Sequence, residues 1–181
     1  RLFQKCGHKP IILVGGGTTL IGDPSGKDET RKILSDDDIK KNKQGLNQIF
    51  KRFLSFDRTK DNCAELIDNL EWLEKLNLIP FLRDIGSKFS VNKMLGLESI
   101  KQRLAREQHL SFLEFNYSIM QAYDFMILNE KYNCQIQFGG SDQWGNIVSG
   151  RDLVKKIKNL QLYGLTSPLV TTSSGNKMGK T

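Results

Sequence analysis

Lys9-Pro-Ile-Ile-Leu-Val-Gly-Gly-Gly-Thr-Thr-Leu-Ile-Gly-Asp-Pro-Ser-Gly26 decides the fold class. Ile11-Ile-Leu-Val14 is a continuous apolar run without alternation, as expected of a buried strand. Three glycines follow at once. A glycine-rich turn straight after a buried strand is the edge position at which open α/β sheets bind ligands. The turn fits neither common nucleotide fingerprint. Counted from Gly15, the sixth position of a dinucleotide motif is Leu20. Gly22 and Gly26 are too close for a P-loop, and Lys27 is followed by Asp28. Two readings stay open: a tight turn with no ligand, or, with Asp23 inside it and Lys27 and Arg31 after it, a loop that handles a cation and a phosphate.

Working outward, residues 1–7 resemble a helix end that stops near Gly7. Dense mixed charge over 27–43 predicts a solvated helix or a mobile loop. Helical spacing is predicted for 45–56 and again for 64–78, with Leu66, Ile67, Leu70, Leu73 and Leu76 on one side. Residues 80–85 and 91–106 continue this helical middle section. A strongly apolar helix is predicted over 112–132, with Gln121 and Asp124 inside it. A short strand over 135–138 ends at Gly139-Gly-Ser-Asp-Gln-Trp-Gly-Asn146, a helix follows to about 158, and 168–171 is a candidate third strand. Strand, glycine loop, long helical insertion, strand, glycine loop and helix together predict an α/β fold with a parallel sheet.

Composition sets the outer limits. The 181 residues are 38% hydrophobic and 26% charged, which excludes a disordered tail, a collagenous chain or a membrane bundle. No apolar run approaches the roughly 20 residues that span a bilayer. Lys and Arg total 27 against 20 Asp and Glu, a net charge of +7 that suits phosphate-bearing partners. Cys6, Cys63 and Cys134 are predicted to be reduced intracellular thiols, and with His8 and His109 they show no zinc-ligand spacing. No metal on protein ligands is expected. The chain opens on Arg1 and closes on Lys177-Met-Gly-Lys-Thr181, and we expect it to be an excerpt of a longer protein.

Three stretches carry chemistry. Tyr117, Gln121 and Asp124 share one helical face. They form either its wet side or, since Tyr123, Phe125, Met126 and Ile127 leave little wet surface, a polar trio that reads a small ligand. In the string from Gly139 to Asn146, the paired glycines offer close backbone approach, Asp142 can accept from ribose hydroxyls, and Gln143 both donates and accepts. The loop that carries Lys177 and Lys180 is basic and contains glycine, as many solvated loops do.

Together these residues resemble the tyrosyl-tRNA synthetase family of the bacterial and organellar type. The likeness runs through Ile21-Gly-Asp-Pro-Ser-Gly26, Phe81-Leu-Arg-Asp-Ile-Gly86, Phe89-Ser-Val-Asn92, Tyr117-Ser-Ile-Met-Gln-Ala-Tyr-Asp-Phe125, the string from Gly139 to Asn146, and the last five residues at the place of the family's KMSKS-type loop. The resemblance implies a class I synthetase catalytic domain, a Rossmann-like parallel sheet, over residues 1–181, with a helical insertion at about 45–110. It implies a homodimer that condenses L-tyrosine with ATP, Mg²⁺ accompanying the nucleotide, and passes tyrosyl to tRNA(Tyr).

By position, Asp23, Tyr117 and Gln121 match residues that hold the tyrosine ammonium group, and Asp124 the carboxylate that receives the phenol. Gln143 matches a residue near the substrate carboxylate, Asp142 one on the ATP ribose with Gly140 beside it, and Gln137 lines the same pocket. Lys27, Arg31, Lys177 and Lys180 match mobile cations that close on pyrophosphate. The family's HIGH motif, its second phenol-binding tyrosine and its anticodon-binding region have no counterpart in these residues, in keeping with an excerpt. The implied reaction, attack of the tyrosine carboxylate on the α-phosphorus, needs alignment and positive charge rather than a protein nucleophile.

A bacterial cytoplasm is expected, with the mitochondrial matrix as the alternative; no membrane partner is expected. Two rival readings are a tryptophanyl-type class I enzyme, whose indole pocket does not require the trio on residues 117–124, and a synthetase-derived RNA-binding protein without catalysis. A generic nucleotide-binding oxidoreductase is disfavoured because both glycine fingerprints fail.

Overall fold

A computed structural model of the chain describes residues 1–20, 35–107, 109–173 and 178. These fall into two compact units, one within residues 1–76 and the other mainly 77–181.

In the first unit, helix α1 (Leu2–Lys5) precedes strand β1 (Ile11–Val14). Gly7 has a φ of 90°, a conformation that favours glycine and ends the helix. The glycine turn is a short helix, α2 (Gly16–Thr19). Helix α3 (Asp36–Phe53) follows, opened by Ser35, whose hydroxyl accepts from the Asp38 N–H while the Asp38 carboxylate accepts from the Ser35 N–H. It absorbs parts of both the charged 27–43 stretch and the 45–56 helix, and runs through Gly45 without a break.

Residues 64–78 do not form one helix. Strand β2 (Glu65–Asp68) pairs parallel with β1, Ile11 opposite Glu65 and Val14 opposite Asp68, and only then comes the short helix α4 (Leu70–Leu73). The helical spacing of the leucines was coincidental: Ile67 is buried while Leu66 is exposed, a period of two rather than 3.6.

The second unit begins with helix α5 (Leu78–Asp84), a 3₁₀ turn at Gly86–Lys88, and helices α6 (Val91–Leu95) and α7 (Glu98–Ala105). Helix α8 (Phe112–Phe115) then hands over to α9 (Tyr117–Tyr132), so the predicted 112–132 helix is two helices meeting at Asn116. Strand β3 (Ile136–Gly140) leads through a 3₁₀ turn at Ser141–Gln143 into α10 (Trp144–Lys158). The partner of β3 is strand β4 (Tyr163–Ser167), parallel, with Gln137 opposite Gly164. The strand expected over 168–171 therefore lies one element earlier. Pro168 cannot donate to a ladder and closes it, and Gly164 is required because a Cβ there would collide with Ile147 of α10. The fold class is α/β with parallel strand pairs, as expected.

Helices α9 and α10 both end on an asparagine in the left-handed region, Asn133 (φ 52°) and Asn159 (φ 55°), which stops each helix just before a strand. The two helices press together: a Cβ on Gly150 would lie 3.0 Å from Phe125 Cδ1 and 3.4 Å from Ala122 Cα. Around that contact Ile119, Ala122, Phe125, Met126, Leu153, Val154 and Leu162 form the core, joined by Ile85 and Met94. Among the described residues no helix is long and apolar enough to cross a membrane.

Glu114 fastens α8 to α7. It accepts from the Ser111 N–H at 3.0 Å as half of a capping box and pairs with Arg103 at 2.9 Å; both side chains are largely buried. Burial by itself would push its carboxyl up, but the Ser111 N–H, Arg103 and the Ser111 hydroxyl outweigh it and hold the pKa below its ordinary value. The stability this contributes is complete above the unfolded value near 4.5 and is lost as pH falls through the lower folded value. Glu114→Ala should therefore cost about 2 kcal/mol in urea unfolding at neutral pH. Glu114→Gln should be less sensitive than the native chain to acidification below about pH 4.5. Equal acid sensitivity in both would show that Glu114 titrates alike folded and unfolded.

Candidate active site

Helix α9 is the backbone of the site. Tyr117, Gln121 and Asp124 occupy its i, i+4 and i+7 positions, one above another on one face. Asp124 is 2% exposed, in the most apolar stretch of the chain, between Tyr123 and Phe125. Burying a carboxylate is costly unless hydrogen bonds or a ligand satisfy it, so its place there is a chemical statement. Tyr117 and Gln121 are half-buried. The neighbouring phenol of Tyr123 is pushed up by burial, and then by the negative charges of Glu130 and Asp124. The wet-side reading of the trio fails at Asp124.

The second cluster comes from the end of β3 and the start of α10, as the string from Gly139 to Asn146 implied. Its glycines make room for neighbouring side chains of the protein. A Cβ on Gly139 would meet Gln143 Cβ at 3.2 Å, and one on Gly140 would meet Asp142 Oδ1 at 2.7 Å and Leu169 at 2.9 Å. They let Gln143 and Asp142 fold back over the strand end. Gln137, on β3, buries its Oε1 with no hydrogen-bond partner among the described residues.

Asn146 joins the two clusters. Its Nδ2 group donates to Gln121 Oε1 at 3.0 Å and to Gln143 Oε1 at 3.2 Å. Sequence reasoning gave Asn146 no role, although its place one helical turn after Gln143 on α10 was a usable signal.

Asp142 stands apart from the trio. It is exposed and lines a groove of about 670 Å³ between residues 88–102 and α10. Lys88, Lys93 and Lys156 bring positive charge to this groove, Glu98 and Asp152 negative charge, and Trp144 a half-exposed ring. Lys156 Nζ also donates to the Lys88 carbonyl across it. Among the described residues no three His, Cys, Asp or Glu side chains cluster as a metal site. Asp23, Lys27, Arg31, Lys177 and Lys180 lie outside the described residues; Met178, between the two lysines, donates its N–H to the Val170 carbonyl at 2.9 Å.

The first glycine turn belongs to the other unit, and the sequence did not reveal what satisfies it. Asp68 Oδ1, at the end of β2, accepts from the Gly16 N–H at 3.0 Å and from the Leu70 N–H at 3.0 Å, and Asn69 Oδ1 accepts from the Gly17 N–H at 2.8 Å. Lys43 pairs with the same Asp68 carboxylate. A Cβ at Gly16 would strike that carboxylate, so the glycine is needed for strand-end packing.

The sequence matches the family described as tRNA synthetases class I (W and Y) over residues 1–181. It is 59% identical over 181 residues to the tyrosine–tRNA ligase of Rickettsia massiliae and 58% identical to that of Orientia tsutsugamushi. Each alignment takes in all of this chain and 44% of the relative, so the chain spans less than half the length of these curated relatives. Its structure is similar to that of a C-terminally truncated Aspergillus nidulans mitochondrial tyrosyl-tRNA synthetase, with a TM-score of 0.75 and 31% identity over 94% of this chain and 54% of that one. The corresponding Coccidioides posadasii protein gives a TM-score of 0.74 at 30% identity, over 95% of this chain and 53% of that one.

Proposed function

The chain belongs to the class I tRNA synthetases of the W and Y type, and from that premise we propose that it forms the tyrosine-activating region of a tyrosine–tRNA ligase. The observation that carries this reading is the buried carboxylate of Asp124, one and two helical turns beyond Gln121 and Tyr117 on the same face of α9. One end of that face suits an ammonium group and the other a phenol. The tyrosine specificity named for the 59%-identical relatives supports the same choice over tryptophan.

In this reading Tyr117, Gln121 and Asp23 hold the substrate ammonium, Asp124 accepts the phenol hydroxyl, Gln143 meets the substrate carboxylate, and Gln137 offers its open carbonyl to the pocket. Asp142, with Gly140 behind it, takes the ATP ribose. The tyrosine carboxylate attacks the α-phosphorus, the bond to the β-phosphate oxygen breaks, and pyrophosphate leaves with Mg²⁺. Lys27, Arg31, Lys177 and Lys180 neutralise the charge that develops on it. The tyrosyl group then passes to tRNA(Tyr). Mg²⁺ arrives with ATP, whose phosphates supply its ligands.

A homodimer formed through residues 64–106 is part of the proposal. Within them Leu66 is in β2 and Leu73 packs under Gly17. Support comes instead from Leu78, Ile79, Leu82, Val91, Leu95 and Leu104 on α5 to α7, all exposed, with Phe112 next to them in sequence at 80% exposure. A bacterial cytoplasm fits the bacterial sources of the relatives, and the fungal mitochondrial likenesses keep the matrix as the alternative.

Tyrosine-dependent exchange of pyrophosphate into ATP by the full-length protein tests the reading. Exchange with tyrosine and not tryptophan is expected. Exchange with tryptophan, or RNA binding without exchange, would replace it with one of the rival readings. Sedimentation of the same protein as a monomer would remove the dimer.

A further inference from the structure

We infer that Asn146 is a positioning residue that fixes which way the amides of Gln121 and Gln143 face. The inference rests on the tyrosine reading above and adds a residue to which that reading assigns no task.

Both protons of one Nδ2 group are spent on two carbonyl oxygens, Gln121 Oε1 at 3.0 Å and Gln143 Oε1 at 3.2 Å. A primary amide has an acceptor end and a donor end of nearly the same shape, and only its hydrogen-bond partners decide which end points where. Asn146 captures both acceptor ends, so both donor ends turn away from it. For Gln143 that presents N–H groups to an incoming carboxylate, the polarity a carboxylate needs. For Gln121 the captured oxygen retains a second lone pair, enough to accept from an ammonium as well. Two glutamines, one on α9 and one in the turn before α10, are thereby locked in one sense before the substrate arrives, which lowers the ordering cost of binding it.

Asn146→Asp separates this role from plain packing. The replacement has the same shape but only acceptors, so each glutamine amide turns over and donates from Nε2 to the new carboxylate. Contacts and fold are kept while the polarity shown to the substrate is reversed. In the full-length protein, tyrosine KM in pyrophosphate exchange should rise about tenfold or more, the value of one charge-assisted hydrogen bond, with kcat less affected. Inhibition by tyramine, which keeps the ammonium but lacks the carboxylate, should weaken less, through the Gln121 contact alone.

The new negative charge by itself could repel tyrosine, so the pair is repeated with Gln143→Met. There the effect of Asn146→Asp on tyrosine KM should fall to its effect on tyramine inhibition, because the route through Gln143 to the carboxylate is gone and only that through Gln121 remains. Asn146→Ser, neutral and with one donor, should give a smaller rise that falls in the same way with Gln143→Met, and it carries the test if Asn146→Asp melts early. A native KM in Asn146→Asp, or a penalty on tyrosine beyond that on tyramine that persists with Gln143→Met, overturns the inference and leaves the functional reading standing. No tyrosine-dependent exchange by the native protein ends the functional reading at the first measurement, and the inference with it.

Discussion

Asp124→Ala in the full-length protein is expected to lower kcat/KM for tyrosine activation by roughly 100-fold, about 3 kcal/mol, and to lower that for phenylalanine far less. The two amino acids differ by one hydroxyl. A pocket rejects the analogue lacking it only when that leaves one of its own buried polar groups short of a hydrogen bond, and Asp124, a carboxylate at 2% exposure, is the group proposed to receive the phenol. Removing the carboxylate withdraws the phenol's partner and the penalty on phenylalanine together, so the ratio between the substrates must shrink. A carboxylate that merely supported α9 would, when removed, weaken both substrates alike. Measuring both kcat/KM values decides the matter, and an unchanged ratio would take Asp124 out of the specificity site.

Lys180→Ala should lower the rate of tyrosine activation by about 30- to 1000-fold, or 2–4 kcal/mol, with tyrosine affinity nearly unchanged. Lys180 lies outside the described residues, and the expectation rests on its place in the basic stretch after Ser173. A cation that meets pyrophosphate chiefly in the transition state stabilises that state selectively and is invisible to ground-state binding of the amino acid. Single-turnover formation of tyrosyl-adenylate, with tyrosine Kd measured separately, checks the split. Weakening of tyrosine binding by a comparable factor would make Lys180 a substrate-site residue.

The elements legible in the sequence were those whose pattern has a single cause. Ile11-Ile-Leu-Val14 has no polar residue to suggest any other element, and α9 has too few polar positions to be anything but buried. Strand β2 was misread because Leu66, Ile67, Leu70 and Leu73 satisfy a helical template through residues that belong to two successive elements. Strand β4 was displaced because Tyr163-Gly-Leu-Thr-Ser167 holds no continuous apolar run, and the Ile147 side chain that packs on Gly164 comes from another element. The same limit applied to the site. Tyr117, Gln121 and Asp124 announced themselves by helical spacing, whereas Asn146 shows only its nearness to Gln143 in sequence, and its bond to Gln121 on α9 is a relation that spacing along one element cannot express. At the glycines, the side chains of Asp68, Gln143 and Asp142 come close to the backbone, a packing relation that a run of glycines does not spell out.

Placing the recognition groups on one helix also makes the pocket a gauge of length. Between Tyr117 and Asp124 the axis advances about 10 Å, and α9, clamped by the core through Phe125 and Met126, cannot stretch or shorten that interval. Under the proposed assignment the two ends of the substrate are read against a fixed scale. A meta-hydroxylated phenylalanine or a chain longer by one methylene would carry the right chemical groups and still miss one mark. Such a site can be retuned by exchanging the side chain at either end, but not by adjusting the distance between them.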